Sequence, residues 1–332
     1  MLIMPPTFAI LANPAAGGTS REEKHHLLRR AARILKAEVY GLDTTSVADF
    51  QNAARDLSMH VDVLVVAGGD KSLDDVVNAV TTGNSDVELG FLPMGSGNGF
   101  AYAIGLPSDV GDAAQQIRSG SAHRVDVMQY QGPNDSARCF LGGIGLEPAV
   151  VIDRGARLRR HKPLLNLVQD DLALTRMLDP VPGTLDKAPE GFVAYLFAAL
   201  YMGLNGYKPI QAKVTVDGMP YTHDRVLSMV FSTHPFYGYG LNVNRHANLQ
   251  DERVHVSTTY DPESKIGRVS KGVLCAAQGF FFGGNRLCST QAGQEMTVQT
   301  AEPVPIQLGG DYHATEREFS FRVEPGAVAV RY

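Results

Sequence analysis

The sequence predicts an α/β domain with an open, mostly parallel sheet, followed by a mainly antiparallel β-sandwich domain. Up to about residue 122, short apolar strands alternate with amphipathic helices, which is the pattern of a parallel sheet covered by helices. Glycine-rich loops follow three of these strands. After about residue 123 the strands alternate apolar and polar residues and are separated by turn residues, as in antiparallel sheets.

The strands of the first half are short apolar runs, "TFAILANP", "VDVLVV" and "ELGFLP". The second run is continuously apolar, as expected when helices cover both faces of a sheet. Helices are predicted over 20–37, after Ser46, after Ser72 and over "SDVGDAAQQIRSG". Ser46 and Ser72 each precede an aspartate by three residues, which is the spacing of a capping box at a helix N-terminus.

In the second half, "AKVTVDGMPYT" predicts a hairpin with an Asp-Gly turn,. "EFSFRVEPGAVAVRY" predicts a strand that folds back at a Pro-Gly turn, and the segments 192–204 and 265–282 predict helices,. We expect an α/β domain over residues 1–122, which residues 318–332 could complete, and a β-sandwich over 123–317. A cleft between the two domains is the expected binding site.

Composition excludes several classes. The chain has 332 residues, a net charge of −5 and a pI of about 6.1, so no global basic field attracts nucleic acid. Its three cysteines have no CxxC spacing, which argues against a disulfide framework and a zinc site. "MLIMPPTFAILANP" lacks a positive flank and contains two prolines, so it predicts a strand rather than a signal peptide.

The longest apolar stretch, "FVAYLFAALYMGL", is shorter than the roughly 20 residues that cross a bilayer. The expected location is therefore the cytoplasm, with peripheral contact to the inner face of the membrane as an open alternative. The basic run "RGARLRRHK" could bind anionic headgroups, and a solvated loop is the other interpretation. The assembly state stays open, with a homodimer among the options.

Three loops carry the candidate chemistry: residues 13–18, 68–72 and 93–99, called here the first, second and third glycine loops. Their sequences are "NPAAGG", "GGDKS" and "PMGSGNG". Each joins the carboxyl end of a strand to a helix, where open α/β sheets bind ligands. Backbone N–H groups at a helix N-terminus attract anions. Three such loops in successive units favour phosphate binding over turns that serve packing alone.

Standard nucleotide and hydrolase motifs do not fit these loops. A Walker A loop needs a glycine directly before the Lys-Ser pair, where Asp70 stands,. The dinucleotide fingerprint needs a third glycine, where Phe100 stands,. A nucleophile elbow around Ser96 needs a glycine at Met94,. The three loops therefore predict a phosphate site that belongs to none of those classes.

The segments "NPAAGG", "VVAGGDKSLDDVVNAV" and "LGFLPMGSGNGFAYAIGLP" resemble the three successive signatures of the diacylglycerol kinase catalytic domain family. That family includes bacterial lipid kinases, sphingosine kinases and ceramide kinases. The resemblance continues in family order through "HRVDV", "GGIGLEPAVV", "FYGYGLNVNRHANLQDERVHV" and "PVPIQLGGDYH". Residues 153–190 match nothing specific.

The resemblance implies ATP as phosphoryl donor, Mg²⁺, and a lipid or amphiphilic alcohol as acceptor. Asp70 and Asp126 match carboxylates that organise magnesium and phosphates, and Asp251 matches a ligand of a structural magnesium in some bacterial members. Asp311 stands where the family carries the glutamate that deprotonates the acceptor. The positions that match nucleotide contacts are Asn13, Thr44 (or Thr45 in an equally good register), Gly68, Gly69, Asp70, Gly95, Ser96 and Asn98.

The sequence also departs from the family pattern. Lys71 replaces a glycine and Ser72 a threonine in the usual GGDGT, and Gly99 stands where many bacterial lipid kinases have aspartate. Asp311 follows two glycines instead of completing D-G-E, and Asp251-Glu252-Arg253-Val254 replaces D-G-L-L. Lys71 is given a catalytic role as a cation for the phosphates. The alternative is a solvent-exposed lysine that strains the backbone by about 1 kcal/mol if its φ is positive.

The predicted function is that of an ATP-dependent kinase acting on a hydroxyl of a lipid such as diacylglycerol or a related amphiphile. Two alternatives stay open. One is a kinase of a soluble or specialised-metabolite alcohol, because residues 153–190 match nothing in the family. The other is a degenerate nucleotide-binding regulatory protein, because the acidic positions 99, 309 and 311 are altered.

Overall fold

A computed structural model describes residues 5–18, 20–83, 85–149, 152, 207–281, 283 and 286–332. In the first half, strands alternate with helices as predicted. The strands are β1 (Phe8–Ala12), β2 (Glu38–Tyr40), β3 (Val63–Gly68) and β4 (Glu88–Pro93). The helices are α1 (Arg21–Leu35), α2 (Val47–Ser58), α3 (Asp70–Thr82), α4 (Gly99–Ala103) and α5 (Val110–Ser119).

These four strands are parallel and lie in the order β2-β1-β3-β4. In the register of the sheet, Ala12 pairs with Ala67, and Gly68 pairs with Pro93. The carboxyl ends of β1, β3 and β4 therefore finish side by side, and the three glycine loops start from one edge of the sheet. Buried Val, Leu, Ile and Ala side chains fill the space between this sheet and its helices.

Helix α3 starts earlier than the sequence predicted. Its first residue is Asp70 and its N-cap is Gly69, so the prediction of a capping box that starts at Ser72 is wrong. Ser72 lies inside the first turn, where its hydroxyl accepts a hydrogen bond from Asn13. The prediction at α2 is better, because Ser46 is the N-cap and accepts from the backbone N–H of Asp49.

The second half is mainly antiparallel. Its elements are β5 (Ala122–Gln131), β6 (Ser136–Cys139), β7 (Leu141–Gly145), β8 (Ile210–Val216), β9 (Met219–Ser232), β10 (Val254–Tyr260), α6 (Lys265–Phe281), β11 (Ser289–Gly293), β12 (Glu295–Leu308) and β13 (Asp311–Arg331). Asp217 and Gly218 form the predicted Asp-Gly turn between β8 and β9. A second apolar core lies among these strands. The predicted fold class is confirmed.

Strand β13 connects the two halves. It pairs antiparallel with β12 and β5, and Ala329 and Val330 pair in parallel with β4. The predicted reversal at the Pro-Gly pair is wrong, because β13 continues past Pro325 and Gly326 with only a register shift against β5. The pair forms a bulge, which bends a strand without ending it. The domain limits 1–122 and 123–317 stay a prediction.

Several expectations fall on other parts of the chain. The predicted helix over 192–204 and the basic run "RGARLRRHK" lie outside the described residues. The helix predicted over 265–282 is confirmed as α6. Within the described part of the chain, no helix combines the length and the apolar character that a membrane span requires.

Candidate active site

The three glycine loops are in direct contact. The side-chain amide of Asn13, in the first loop, donates to the hydroxyl of Ser72 at 2.8 Å. The N–H of Met94, in the third loop, donates to the carbonyl of Gly68 at 2.8 Å. A Cβ on Gly17 would lie 2.2 Å from the carbonyl oxygen of Met94. The three sequence signals therefore describe one edge of the sheet.

Gly69 and Gly95 bring the second and third loops together. A Cβ on Gly95 would lie 2.4 Å from the Cα of Gly69, so only hydrogen fits between the two backbones. Asn98 shapes the third loop from inside, since its side chain accepts from the N–H of Gly95 at 2.9 Å and donates to the same residue's carbonyl at 2.8 Å. Ser96, at the tip of this loop, is exposed.

The N-terminus of α3 differs from those of the other long helices near it. Ser20, Ser46 and Asp109 cap α1, α2 and α5 with their side chains. At α3 the N-cap is Gly69, which gives no side-chain bond. The first N–H groups of a helix have no intrahelical acceptors, and an anion can satisfy them. The N-terminus of α3 therefore suits a phosphate group.

Asp70 holds the third loop onto α3. Its two carboxylate oxygens accept hydrogen bonds from the N–H groups of Gly99 and Phe100, at 3.0 and 2.9 Å. The carboxylate thus satisfies the first turn of the short helix α4. Burial raises the pKa of Asp70, and the two backbone hydrogen bonds oppose that rise. The predicted nucleotide and metal roles of Asp70 stay predictions.

Lys71 has a helical backbone, so the strain considered above is absent. Its ammonium forms an ion pair with Asp75 one turn along α3, with about a third of the Lys71 side chain exposed (34%). Burial lowers the pKa of Lys71, but the negative charges of Asp75, Asp74 and Asp311 outweigh it, and the net shift is upward. Lys71 is therefore charged and lies among three carboxylates.

The turn between β12 and β13 places Asp311 beside this group. A Cβ on Gly309 would lie 2.3 Å from Asp74 Oδ2 and 3.1 Å from the Cα of Lys71, so the turn rests directly on α3. The N–H of Gly309 also donates to the carbonyl of Leu141 at 2.8 Å. Asp311 is exposed at the end of the turn. The structure thus brings the predicted base and the second glycine loop together.

Asp74 is a residue of this group that the sequence analysis did not identify. It is buried, and its Oδ1 accepts from the N–H of Phe140 at 3.2 Å. Its Oδ2 has no hydrogen-bond partner among the described residues. Burial raises its pKa well above the usual range, although the charge of Lys71 lowers it. An aspartate pair inside the apolar helix "LDDVVNAV" was the available signal.

Thr44 and Thr45 have different roles. Thr44 Oγ1 donates to the carbonyl of Gly41 at 2.7 Å, and Thr44 lines a cavity of about 360 Å³ with Tyr40 and Asp49. Thr45 Oγ1 donates instead to the Asp49 carboxylate at 2.7 Å, at the start of α2. Of the two registers, Thr44 is therefore the one that lines a cavity.

The other two predicted metal residues lie along the second half. Asp126 accepts from the N–H groups of Glu252 and Gly326, at 2.7 and 2.8 Å. Asp251 pairs with His255 at 2.7 Å. No group of three or more His, Cys, Asp or Glu side chains forms a metal site within the described ranges. Because Asp70 and Asp126 already accept backbone bonds, these residues suit a magnesium ion held mainly by phosphates and water.

The second half also contacts the third glycine loop. The N–H of Tyr239 donates to the carbonyl of Gly97 at 2.7 Å, and a Cβ on Gly97 would lie 3.0 Å from the Cα of Gly238. A Cβ on Gly99 would lie 2.8 Å from the carbonyl oxygen of Phe236. The segment "FYGYG" therefore closes one side of the loop.

Comparison with known proteins supports this description. Residues 7–130 match the sequence model of the diacylglycerol kinase catalytic domain. A diacylglycerol kinase of Staphylococcus saprophyticus is 36% identical over 28% of this chain, but the match covers only 33% of that relative's length. The diacylglycerol kinase of Bacillus subtilis is 24% identical over 91% of this chain and 89% of its own.

Solved structures agree in fold. A structure described as a diacylglycerol kinase from Bacillus anthracis str. Sterne superimposes with a TM-score of 0.67 at 14% identity, covering 99% of this chain and 98% of that chain. Another solved chain from the same organism gives a TM-score of 0.70 at 15% identity, with the same coverage. The resemblance that the glycine loops predicted is confirmed: residues 7–130 match the diacylglycerol kinase catalytic domain model, and the whole chain shares its fold with these solved structures.

Proposed function

We propose that the protein is a kinase that transfers the γ-phosphoryl group of ATP to a hydroxyl of a lipid, such as diacylglycerol or a related amphiphile. The observation that carries this proposal is the contact between the turn at Gly309 and the first turn of α3. This turn carries Asp311, whose charge acts on Lys71, and the N-terminus of α3 has no side-chain cap. A site that binds phosphate and a base for the attacking hydroxyl would therefore lie side by side.

The glycine loops would hold the nucleotide. The first N–H groups of α3 and the exposed tip of the third loop at Ser96 offer donors to phosphate oxygens. Thr44 and the cavity beside it lie at the end of β2 in the same sheet, which suits the nucleoside part. Asn13 and Asn98 would act by fixing the loops, because their side chains bond within them.

Phosphoryl transfer depends mainly on positioning and on electrostatic stabilisation. Asp311 is the proposed general base, accepting the proton of the acceptor hydroxyl as that oxygen attacks phosphorus. Lys71 would stabilise the negative charge of the phosphates as a point cation. In the structure it neutralises Asp75, so nucleotide binding would require its ammonium to be shared with, or moved to, the phosphates.

Magnesium would neutralise phosphate charge and orient the γ-phosphoryl group when bound with ATP. Asp70 and Asp126 are proposed to organise it, with Asp251 at a separate structural position. The hydrogen bonds that Asp70 and Asp126 accept keep both groups fixed, so we propose that they act through water or by shaping the loops.

The names of the relatives support a lipid acceptor. Peripheral contact with a membrane surface follows if the acceptor is a lipid. A soluble alcohol as acceptor, and nucleotide binding without transfer, are the two outcomes that would change the proposal.

The test is an ATP-consumption assay with diacylglycerol, sphingoid, polyprenol and soluble metabolite alcohols, run with and without Mg²⁺. Turnover with a lipid supports the proposal. Turnover only with a soluble alcohol would change the acceptor class, and nucleotide binding without any turnover would contradict the kinase assignment.

The role of Asp311 is tested with Asp311→Asn. We expect turnover to fall by about two to four orders of magnitude, as for loss of a general base, while nucleotide affinity is kept. Asp224→Asn, an exposed aspartate on β9, is the matched control and should keep full activity. Normal turnover in Asp311→Asn would exclude the role.

A further inference from the structure

Two cysteines of the second half lie together between α6 and the adjoining edge of the sheet. Cys275 is on α6, and Cys288 precedes β11. The Sγ of Cys288 is 2.9 Å from the hydroxyl of Thr259 on β10, and Cys288 is also hydrogen-bonded to Cys275 and to Ser257. No disulfide joins the two thiols.

The surroundings of Cys288 favour its thiolate. The hydrogen bond with Cys275 is the largest cause that lowers the pKa of Cys288 to about 6, ahead of the Thr259 and Ser257 hydroxyls and the charge of Lys271, while burial acts in the opposite direction. Lys271 lies one turn before Cys275 on α6 and donates to the carbonyl of Tyr260 at 2.8 Å. Burial raises the pKa of Glu147 to about 7, and the charge of Cys288 adds to that rise.

Cys139 provides an internal contrast. It is fully buried, and burial raises its pKa well above the usual range. Cys275 and Cys288 are each partly exposed. Because the thiolate is the reactive form of cysteine, and access limits its reaction, the two environments predict opposite reactivity within one chain.

We propose that Cys275 and Cys288 form a reversible disulfide in response to hydroperoxides, with Cys288 as the attacking residue and Cys275 as the resolving residue. The Cys288 thiolate attacks the outer oxygen of the peroxide; an S–O bond forms and the O–O bond breaks. Cys288 is oxidised to a sulfenic acid, and the peroxide leaves as an alkoxide or hydroxide that takes up a proton.

In the second step the sulfur of Cys275 attacks the sulfur of Cys288. The S–S bond forms, the S–O bond breaks, and the hydroxide that leaves takes the Cys275 proton to give water. The two thiols together lose two electrons and two protons. A small dithiol, or a protein that reduces disulfides with a dithiol, would reverse the reaction by thiol–disulfide exchange.

Closing this bond would fix α6 to the segment that enters β11. One turn beyond Cys275, a Cβ on Gly279 would lie 2.4 Å from Leu241 Cδ1, and the carbonyl of Gly279 accepts from the N–H of Asn242 at 3.3 Å. Residues 241 and 242 continue the segment "FYGYG" that contacts the third glycine loop. We therefore expect the disulfide to reduce the mobility of residues 236–242 as well as that of α6.

The experiment uses the reduced full chain treated with hydrogen peroxide, followed by intact mass and by peptide mapping without reduction. We expect loss of two hydrogen atoms and a peptide linking Cys275 to Cys288. In Cys275→Ser, Cys288 should instead accumulate as a sulfenic acid that a dimedone probe captures. Cys288→Ser should remain unoxidised, and Cys139→Ser should behave as the unmodified chain.

Amide hydrogen exchange of the oxidised and reduced chain gives the second readout. We expect exchange of α6 and of residues 236–242 to slow about threefold or more on oxidation, with no change over α1 in the first half of the chain. A chain in which peroxide leaves both thiols reduced, or labels Cys139 as fast as Cys288, would overturn the proposal. Unchanged exchange over α6 would contradict the idea that the disulfide reduces the mobility of this helix.

Discussion

Gly309 and Asp74 are packed so closely that a Cβ on the glycine would lie 2.3 Å from the Oδ2 of the aspartate. Gly309 also has a φ of 59°, in the left-handed region that favours glycine,. Gly310, the next residue, has a φ of 88° but nothing within 4 Å of its Cβ position. Both glycines therefore allow a left-handed backbone, but only Gly309 is also required for the close packing of the turn against α3.

Gly309→Ala should lower both stability and transfer. Left-handed backbone costs about 1 kcal/mol for alanine, and forcing a methyl group against Asp74 adds about 1–3 kcal/mol of overpacking. We expect a total loss of about 2–4 kcal/mol in the free energy of unfolding, measured with denaturant, and a fall in turnover because Asp311 moves away from α3.

Gly310→Ala is the matched control for that experiment. Its expected loss is about 1 kcal/mol, from backbone conformation alone. Equal losses for the two alanine variants would show that the contact with Asp74 does not constrain the turn.

Lys71→Met removes the cation from a group of three carboxylates. A buried charge left without its partner costs 3–5 kcal/mol, but a third of the Lys71 side chain is exposed (34%), so we expect a loss of about 1–2 kcal/mol. ATP affinity should fall and depend more strongly on Mg²⁺, which a titration by calorimetry at several Mg²⁺ concentrations would measure.

The double variant Lys71→Met with Asp75→Asn separates the two effects. It removes the unpaired charge that Lys71→Met leaves, so stability should return in part, whereas ATP affinity should stay low. If ATP affinity and its Mg²⁺ dependence match those of the unmodified chain in both variants, Lys71 has no part in phosphate binding.

Asp70→Asn tests the link between α3 and the third glycine loop. An amide has one oxygen, so it can replace only one of the two bonds to Gly99 and Phe100. We expect a loss of about 1–3 kcal/mol in stability, and faster amide exchange over residues 94–103. Nucleotide affinity should fall with it, because the loop loses its fixed shape.

Asp109→Asn is the corresponding change at α5, where the carboxylate also caps a helix N-terminus. It should reduce stability slightly without altering exchange in residues 94–103 or nucleotide affinity. A similar effect of both variants on nucleotide binding would mean that the Asp70 contacts act only through global stability.

Because His234 is buried, we expect the free energy of unfolding to fall in acid. It is buried against Phe100 and Phe140, and burial lowers its pKa to about 4. The unfolded chain, with a pKa near 6.5, binds a proton first as the pH falls. The stabilising contribution is therefore complete above about pH 6.5 and is lost toward pH 4, and linkage gives about 2 kcal/mol lost at pH 5.

His234→Gln cannot titrate and should show a smaller decrease in unfolding free energy between pH 7 and pH 5. His25→Gln, at an exposed position of α1, should retain the full decrease. The quantity to compare is the difference between the two pH values, because the glutamine can alter stability at both. An unchanged difference in His234→Gln would contradict the assignment.

The parallel half was predictable because its signals are local. An apolar run followed by glycine and then an amphipathic helix identifies each unit, and the register of β1, β3 and β4 follows once the units stack. The predicted N-cap of α3, Ser72, lies three residues after the observed one, Gly69, because Ser72 is a residue type that caps helices but here bonds to Asn13. Propensity alone cannot foresee a partner 59 residues away.

The rest of the site depends on contacts between distant segments. The Pro-Gly pair at 325–326 has the composition of a turn, but β5 continues to pair on both sides of it, so the strand carries on with a bulge. In the sequence, Asp74 looks like an ordinary helical aspartate. Only the folded structure shows that Gly309 and Phe140 pack against it. The sequence identified Asp311 only through family order, because no local pattern joins it to Lys71.

Strand β13 also affects how the molecule is made. Ala329 pairs with Glu88 across about 240 residues of chain, and pairings so remote in sequence form slowly. During synthesis this edge of β4 stays unpaired until β13 has left the ribosome. The first half should therefore be an aggregation-prone intermediate in the cell, which makes this protein a natural candidate for chaperone assistance.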